Sequence, residues 1–291
     1  METITPDTDS AEVARAGFKW REGEGGVRAL ACEPLEREGF ANAFSTRGGG
    51  VSPFPEASLN LAGFDQDSAE NIHENRRRFV SLLEGHWTLA ACWQVHGRDV
   101  RVVRDASEAR NESERCDALM TDLPGVLLGV KTADCVPIIL GDARTGACAA
   151  VHAGWRGTLA GIVRHALARL SQEFGTRPAD VRAAIGPAAL GCCYEVGSEV
   201  IEAFRAEFTN ADALFTPTSE GHAFVDLHRA NLEQLTESGV SHERVHVLPL
   251  CTMCRPEDFF SYRRDRKLHG RTGRLLSVIG LKDEGGRMKD E

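Results

Sequence analysis

Three short segments carry side chains that could hold a metal ion. They are WQVHG with His96, TADC with Cys135, and VHAGWRG with His152. Each places its His or Cys at the end of a predicted strand, and strand ends meet at one edge of a sheet. Two imidazoles and a thiolate suit zinc, with copper(II) as the alternative ion. Three protein ligands leave a fourth position open, which is typical of a catalytic site.

A second interpretation of these residues stays open at the level of residue types. A lone cysteine beside the apolar run VPIIL (136–140) is usually a core residue. A lone histidine at a strand end is usually a polar group that hydrogen-bonds to its neighbours. His152 also precedes a long predicted helix, whose N-terminus would favour a thiolate or a bound phosphate.

The other cysteines give weaker evidence for a metal site or for disulfides. The chain has nine cysteines, an odd number that argues against a disulfide framework. CTMC (251–254) is a CxxC pair, but a zinc ribbon needs a second such pair, and Cys192-Cys193 lacks that spacing. We therefore interpret these four as mainly packing residues.

The pattern of apolar residues predicts a mixture of strands and helices. Ser68 and Asp226 are predicted N-caps, and an apolar stripe predicts one long helix over 155–174. Because strands and helices do not alternate strictly, the pattern favours an α+β fold in a single domain. The predicted strands cover residues 40–45, 93–96, 100–103, 126–130, 136–140, 147–151, 181–185, 245–248 and 275–281.

We predict a loose N-terminal tail over 1–15, a single catalytic domain over 16–282 and a loose C-terminal tail over 283–291. The net charge of −9 argues against a nucleic-acid partner, which needs a basic face. The polar start is unlike a signal peptide, and the most apolar stretch is too short for a membrane span. We expect a cytoplasmic protein with no membrane partner, as a monomer or small homo-oligomer.

A set of ordered motifs resembles the YfiH-like family. Members have been called polyphenol oxidoreductases (laccase domain), purine nucleoside phosphorylases and peptidoglycan editing factors. The resemblance covers about residue 40 to about residue 281, nearly the whole chain. The matching segments are FSTRGGGVS (44–52), SLNLAGF (58–64), ENRRRF (74–79), WQVHG (93–97), DALMTDLPGVLLGVKTADCVPIIL (117–140), VHAGWRGT (151–158), AIGPAALGCCYEVG (184–197), DLHRANLEQL (226–235), CTMC (251–254) and FFSYRRD (259–265).

The resemblance implies a layered α/β sandwich with mixed sheets, related to toxin-type cysteine hydrolases. It implies that His96, Cys135 and His152 are metal ligands and take part in catalysis. It also implies that Arg47, in the STRGG segment, is an active-site residue that binds substrate.

Two more residues and one segment are candidates for substrate binding. We expect Asn60 and Arg156 to bind substrate beside Arg47, with the arginines gripping an anion. The basic, aromatic segment FFSYRR (259–264) is open to two interpretations, a solvated edge or a wall of an anion site.

The family names imply different reactions. The resemblance implies phosphorolysis of adenosine, inosine and methylthioadenosine to free base and ribose 1-phosphate, with adenosine deaminase activity; nucleoside and phosphate would be the small-molecule partners. One alternative is a cysteine amidase acting on mis-built peptidoglycan precursors of the UDP-MurNAc-L-Ser type. Another is copper-dependent polyphenol oxidase (laccase) activity, which the absence of any His-x-His pair disfavours.

Overall fold

The computed structural model describes residues 6–54, 56–63 and 67–283. Short 3-10 helices cover Glu24–Gly26, Glu108–Arg110, Pro178–Asp180, Ala211–Leu214 and His242–Arg244. The α-helices are α1 (Pro6–Arg15), α2 (Glu33–Arg37), α3 (Ala69–Val80), α4 (Trp155–Leu159), α5 (Ile162–Phe174), α6 (Ser198–Glu207), α7 (Leu227–Glu237) and α8 (Tyr262–His269). The strands are β1 (Phe18–Glu22), β2 (Arg28–Cys32), β3 (Phe40–Ser45), β4 (Gly48–Ser52), β5 (Thr88–Ala90), β6 (Val100–Val102), β7 (Ala118–Thr121), β8 (Val126–Thr132), β9 (Val136–Asp142), β10 (Ala147–Ala153), β11 (Arg182–Ile185), β12 (Glu195–Gly197), β13 (Phe215–Ser219), β14 (His222–Val225), β15 (Val245–Val247) and β16 (Leu275–Leu281).

Two six-stranded mixed sheets form the centre of this single α+β domain. The first sheet has the order β1-β2-β3-β16-β8-β5 and the second the order β15-β11-β9-β10-β7-β6. Most strand pairs in both sheets are antiparallel. The parallel pairs lie at the edges: β5 with β8 in the first sheet, and β6 with β7 and β11 with β15 in the second. A small third sheet has the order β12-β14-β13.

The two large sheets pack face to face, and helices cover their outer faces. Strand β10 packs on β8 and β16 across the interface. Alternation along β10 shows the layering, because Cys148 and Ala150 face the first sheet whereas Ala149 and Val151 face α5. On the other side, Phe79 of α3 packs on the outer face of the first sheet. The sandwich therefore has the layers helix, sheet, sheet, helix.

Several predicted elements are confirmed. Strands β3 and β16 have the predicted bounds. The Ser68 hydroxyl accepts a hydrogen bond from the Asn71 N–H at 3.2 Å, and the Asp226 carboxylate accepts one from the Arg229 N–H at 2.9 Å, so both predicted caps are present. Among the described helices, none is long and apolar enough to cross a membrane.

Two predictions on helices are wrong. The long helix predicted over 155–174 is two helices, because the backbone turns at Gly161, whose φ is +71°. The tail predicted over 1–15 is helical from Pro6 to Arg15, and Val13 on this helix is buried. Residues 1–5 and 284–291 lie outside the described residues.

Candidate metal centre and cleft

His96 lies in a loop, and the strand predicted over 93–96 is wrong. The backbone of His96 has φ +60°, a left-handed conformation that few side chains other than glycine adopt and that ends any strand. The preceding Gln94 fixes the loop to the end of β8, since its amide donates to the Lys131 carbonyl at 2.7 Å and accepts from the Lys131 N–H at 2.8 Å. The loop thus presents the exposed His96 ring to the sheet edge.

Cys135 and His152 come from neighbouring strands of the second sheet. Cys135 stands directly before β9, and His152 is the last residue but one of β10, where it pairs with Pro137. One ligand atom each from His96, Cys135 and His152 lies within 4.8 Å of the others. The two imidazole rings meet edge to face, with centroids 4.9 Å apart. The structure therefore brings the three sequence-predicted ligands together.

The buried carboxylate of Asp117 holds both histidines in place. Its Oδ1 is 2.8 Å from Nδ1 of His152 and accepts the His96 N–H at 2.9 Å. Its Oδ2 accepts the N–H groups of Val95 and Gly97 at 3.2 and 2.7 Å. Because Asp117 occupies Nδ1 of His152, the other ring nitrogen is left for Cys135 or an ion. A carboxylate in this position orients a metal-binding histidine and raises its basicity.

The charges at the centre favour a thiolate. Burial alone would raise the pKa of Cys135, but the neighbouring His152 and His96 rings outweigh it and lower that pKa to about 6. Burial alone would lower the pKa of His152, but the Cys135 sulfur and the Asp117 carboxylate raise it to about 9. Cys135 and His152 thus stabilise each other as an ion pair, which is the state that a nucleophilic thiolate would use. A metal ion would instead need neutral His152, so its binding would displace the second proton of the ring.

The ligand atoms of the centre, and the room left beside Cys135, suit a bound metal ion. Thiolate and imidazole are ligands that zinc prefers. Gly154, next to the centre, leaves the sulfur accessible: a Cβ at this position would lie 2.9 Å from Cys135 Sγ and 3.1 Å from the His96 ring. The three side chains therefore fit a metal ion held by three protein ligands.

The centre lines a cleft of about 750 Å³. Four aromatic residues contribute to its walls, and the Trp93 side chain is 55% exposed although it is large and apolar. Four cationic side chains also line it. A cleft of this size takes a small molecule with a planar apolar part and an anionic part. The aromatic residues are Trp93, Trp155, Tyr194 and Tyr262, and the cationic residues are Lys131, Arg156, Arg263 and Arg274.

Of the predicted substrate-binding residues, Arg156 lies in the cleft, whereas Arg47 and Asn60 do not line it. The Arg47 guanidinium donates to the Pro256 carbonyl at 2.5 Å and packs over the Phe260 ring. For Arg47 to bind an anion at the metal centre, its side chain would have to leave these contacts. The Asn60 carbonyl oxygen Oδ1 accepts the Arg274 N–H at 2.9 Å, so Asn60 supports a segment that lines the cleft.

The segment 259–264 enters the cleft wall through Tyr262 and Arg263, which agrees with its interpretation as part of an anion site. The helix that follows His152 is only the five-residue α4, so the long helix predicted to begin beside the centre is wrong.

Sequence reasoning missed Asp117 and the aromatic residue Tyr194. Asp117 stands in the quoted segment DALMTD, but a single aspartate before a strand gives no sign that four donors converge on it. Tyr194 follows Cys192-Cys193 in a loop. The guanidinium carbon of Arg263 lies over the Tyr194 ring, 4.9 Å from the ring centroid. A loop tyrosine reaches this site only through the tertiary fold.

Comparison with known proteins places the chain in a family. It is 36% identical over 265 residues to "Purine nucleoside phosphorylase YlmD" of Geobacillus stearothermophilus, covering 88% of this chain and 95% of that protein. It is 38% identical over 264 residues to a "Purine nucleoside phosphorylase" of Bacteroides thetaiotaomicron, covering 87% of this chain and 96% of that protein. The crystal structure of YlmD from G. stearothermophilus superposes with a TM-score of 0.82 at 35% identity, covering 90% of this chain and 99% of that structure. The family described as multi-copper polyphenol oxidoreductase laccase matches residues 41–282, and this chain belongs to it.

Proposed function

We propose that the protein is a zinc-dependent purine nucleoside enzyme. It cleaves adenosine, inosine and methylthioadenosine with phosphate, giving free base and ribose 1-phosphate, and it also deaminates adenosine. The observation that carries the proposal is a cleft in which aromatic rings and cationic side chains surround the cluster of His96, Cys135 and His152. The purine nucleoside phosphorylases to which the chain is similar support it.

The cleft has residues that suit both the purine base and the phosphate. A purine ring is planar and aromatic and stacks on side chains such as Trp93 and Tyr262, which are exposed toward the cleft. Phosphate needs a guanidinium or ammonium group, and Arg156 suits this role because its side chain is exposed and forms no ion pair among the described residues. Its guanidinium lies 4.1 Å from the Trp155 ring centroid, which fixes its direction.

His96, Cys135 and His152 would hold the zinc ion. When bound, zinc supplies a Lewis acid that polarises an oxygen ligand and stabilises negative charge. Asp117 keeps the His152 proton on Nδ1 and the opposite nitrogen free for the centre. In phosphorolysis a phosphate oxygen forms a bond to C1′ as the bond from C1′ to the base breaks, and the departing base takes up a proton. Bringing phosphate and nucleoside together in the cleft supplies much of the rate.

A second function has a specific observation in its favour. Cys135, His152 and Asp117 have the order of nucleophile, base and orienting carboxylate that cysteine hydrolases use. The same cleft would then serve as an amidase site for a mis-built peptidoglycan precursor of the UDP-MurNAc-L-Ser type. We expect little copper-dependent polyphenol oxidase activity, because the metal-ligand clusters of the described residues lack the several histidines of a trinuclear copper site.

Product analysis separates these functions. The purified protein is incubated with adenosine in the presence and absence of phosphate, and separately with the precursor. Phosphorolysis gives adenine and ribose 1-phosphate only with phosphate, and deamination gives inosine without it. Release of the amino acid from the precursor, with adenosine unchanged, would replace the proposed function by the amidase.

The arginine of the anion site gives a quantitative prediction. We expect Arg156→Gln to raise the KM for phosphate about tenfold or more, since the variant loses a charge-assisted hydrogen bond, while zinc content stays the same. Initial rates against phosphate concentration measure this effect. Arg205→Gln, a change to an exposed arginine paired with Asp212, is the control. If Arg47→Lys raises the KM and Arg156→Gln does not, the role belongs to Arg47.

A further inference from the structure

A second cluster of thiols lies apart from the metal centre. Cys192, Cys193, Cys251 and Cys254 have sulfur atoms that all lie within 4.8 Å of one another. Cys193 Sγ is 2.9 Å from Cys254 Sγ, and Cys192 Sγ is 3.7 Å from it. Cys251 is buried, but Cys192 and Cys254 are exposed, so the interpretation of all four as packing residues is wrong. The spacing in sequence hid the cluster, because its two halves are some sixty residues apart.

Backbone hydrogen bonds hold the two halves of the cluster together. Ala188 pairs with Cys251 in a parallel bridge, and the Thr252 N–H donates to the Ala188 carbonyl at 2.9 Å. On the other half, the Cys193 N–H donates to the Leu190 carbonyl at 3.0 Å, which closes a turn. The backbone that carries the four thiols is therefore fixed by contacts other than those of the sulfur atoms.

The separation of Cys192 and Cys254 suits a tetrahedral metal site, whereas the 2.9 Å between Cys193 and Cys254 would lengthen when an ion binds. Four sulfurs bonded to zinc at about 2.3 Å lie roughly 3.8 Å apart, close to the distance between Cys192 and Cys254. Cys251 and Cys254 form a CxxC turn, which supplies two ligands of many structural zinc sites. The cluster offers four thiols and no histidine or carboxylate, the donor set typical of a closed structural site.

We propose that Cys192, Cys193, Cys251 and Cys254 form a second metal site, a closed four-thiolate site for a thiophilic divalent ion such as Zn²⁺. The ion ties together two loops that support the cleft. Tyr194 follows Cys193 and lines the cleft, and the Thr252 hydroxyl donates at 2.7 Å to Asp134, the neighbour of Cys135. The role of this ion is structural, because four protein ligands leave no open position for a substrate.

Zinc analysis and X-ray absorption at the zinc edge test the proposal without an activity assay. The proteins are made with zinc in the medium and purified with a reductant and no chelator. We expect two zinc ions per chain in the natural protein. The His96→Ala/His152→Ala variant should keep one, surrounded by four sulfurs at about 2.3 Å. The Cys251→Ser/Cys254→Ser variant should also keep one, with mixed nitrogen and sulfur neighbours.

Two results would overturn the second site. One is a folded His96→Ala/His152→Ala protein that holds no zinc, or holds zinc with fewer than four sulfur neighbours. The other is a disulfide within this cluster in a separate preparation purified without a reductant, seen as an intact mass lower by two hydrogens and assigned to these cysteines by peptide mapping. Cys148→Ala, which removes a cysteine outside both clusters, is the control and should retain two ions. The readout of the histidine variant does not depend on whether the cysteine variant folds.

Discussion

Replacing Cys135 by serine is expected to abolish phosphate-dependent cleavage of adenosine while the protein stays folded. We expect kcat to fall at least about a hundredfold, because the change removes one of three ligands and the only thiolate of the centre. The Cys135 side chain lies at the cleft, outside the three apolar cores, so we expect the melting temperature of the metal-free protein to change by only a few degrees. Initial rates, zinc content and melting curves measure the three effects.

A buried cysteine of the core provides the matched control for this variant. Cys148 is fully buried between the two sheets and belongs to neither of the two metal-ligand clusters. We expect Cys148→Ala to lower the melting temperature by loss of packing and to leave kcat nearly unchanged. Equal loss of kcat in both variants would mean that Cys135 acts only through the fold, which would contradict its place in the centre.

Replacing Asp117 by asparagine should weaken zinc binding about 10- to 100-fold, the usual effect of losing the carboxylate behind a metal-binding histidine. The four groups around Asp117 all donate hydrogen bonds to it, as described above. An amide has one acceptor oxygen and one donor nitrogen, so the variant leaves some of these donors without an acceptor. The loop of His96 and the ring of His152 would both lose their fixed positions. Competition with a zinc chelator measures the affinity.

Asp142→Asn is the control for the Asp117 variant. Asp142 is also a buried carboxylate and also accepts hydrogen bonds, from the Arg144 N–H and the Thr145 hydroxyl, but it lies at the end of β9 remote from Cys135. We expect lower stability with unchanged zinc affinity. If both variants lower zinc affinity equally, the effect of Asp117 is general destabilisation and its orienting role is wrong.

Much of the fold could be predicted because local signals and tertiary structure agree. Strand β16 alternates between two apolar cores, so Leu275 and Ile279 face one sheet interface whereas Leu276 and Val278 face the other side. Its run of apolar residues was therefore a sound guide. The apolar stripe over 155–174 predicted one helix because α4 and α5 both pack on the same apolar core. Gly161 alone marks the break between them.

The site was predictable in its ligands and unpredictable in its surroundings. The residue types of His96, Cys135 and His152 left a structural interpretation open, and the resemblance to the family is what joined them into one site. The segment WQVH has the composition of a strand, yet the N–H groups of Val95 and His96 donate to the Asp117 side chain instead of to a neighbouring strand. The position of the Arg47 guanidinium against Phe260 likewise depends on a segment more than two hundred residues away.

We propose that the cluster of His96, Cys135 and His152 is a metal centre for nucleoside phosphorolysis. The most direct test is to strip the protein of metal, add zinc in steps, and measure ribose 1-phosphate formed from adenosine and phosphate together with bound zinc. The zinc bound by the natural protein less that bound by the His96→Ala/His152→Ala variant gives the occupancy of this centre. We expect the metal-free protein to be inactive and the rate to rise in proportion to the occupancy of this centre and then to level off. Formation of ribose 1-phosphate at the full rate without metal, or no ribose 1-phosphate at full occupancy, would contradict it.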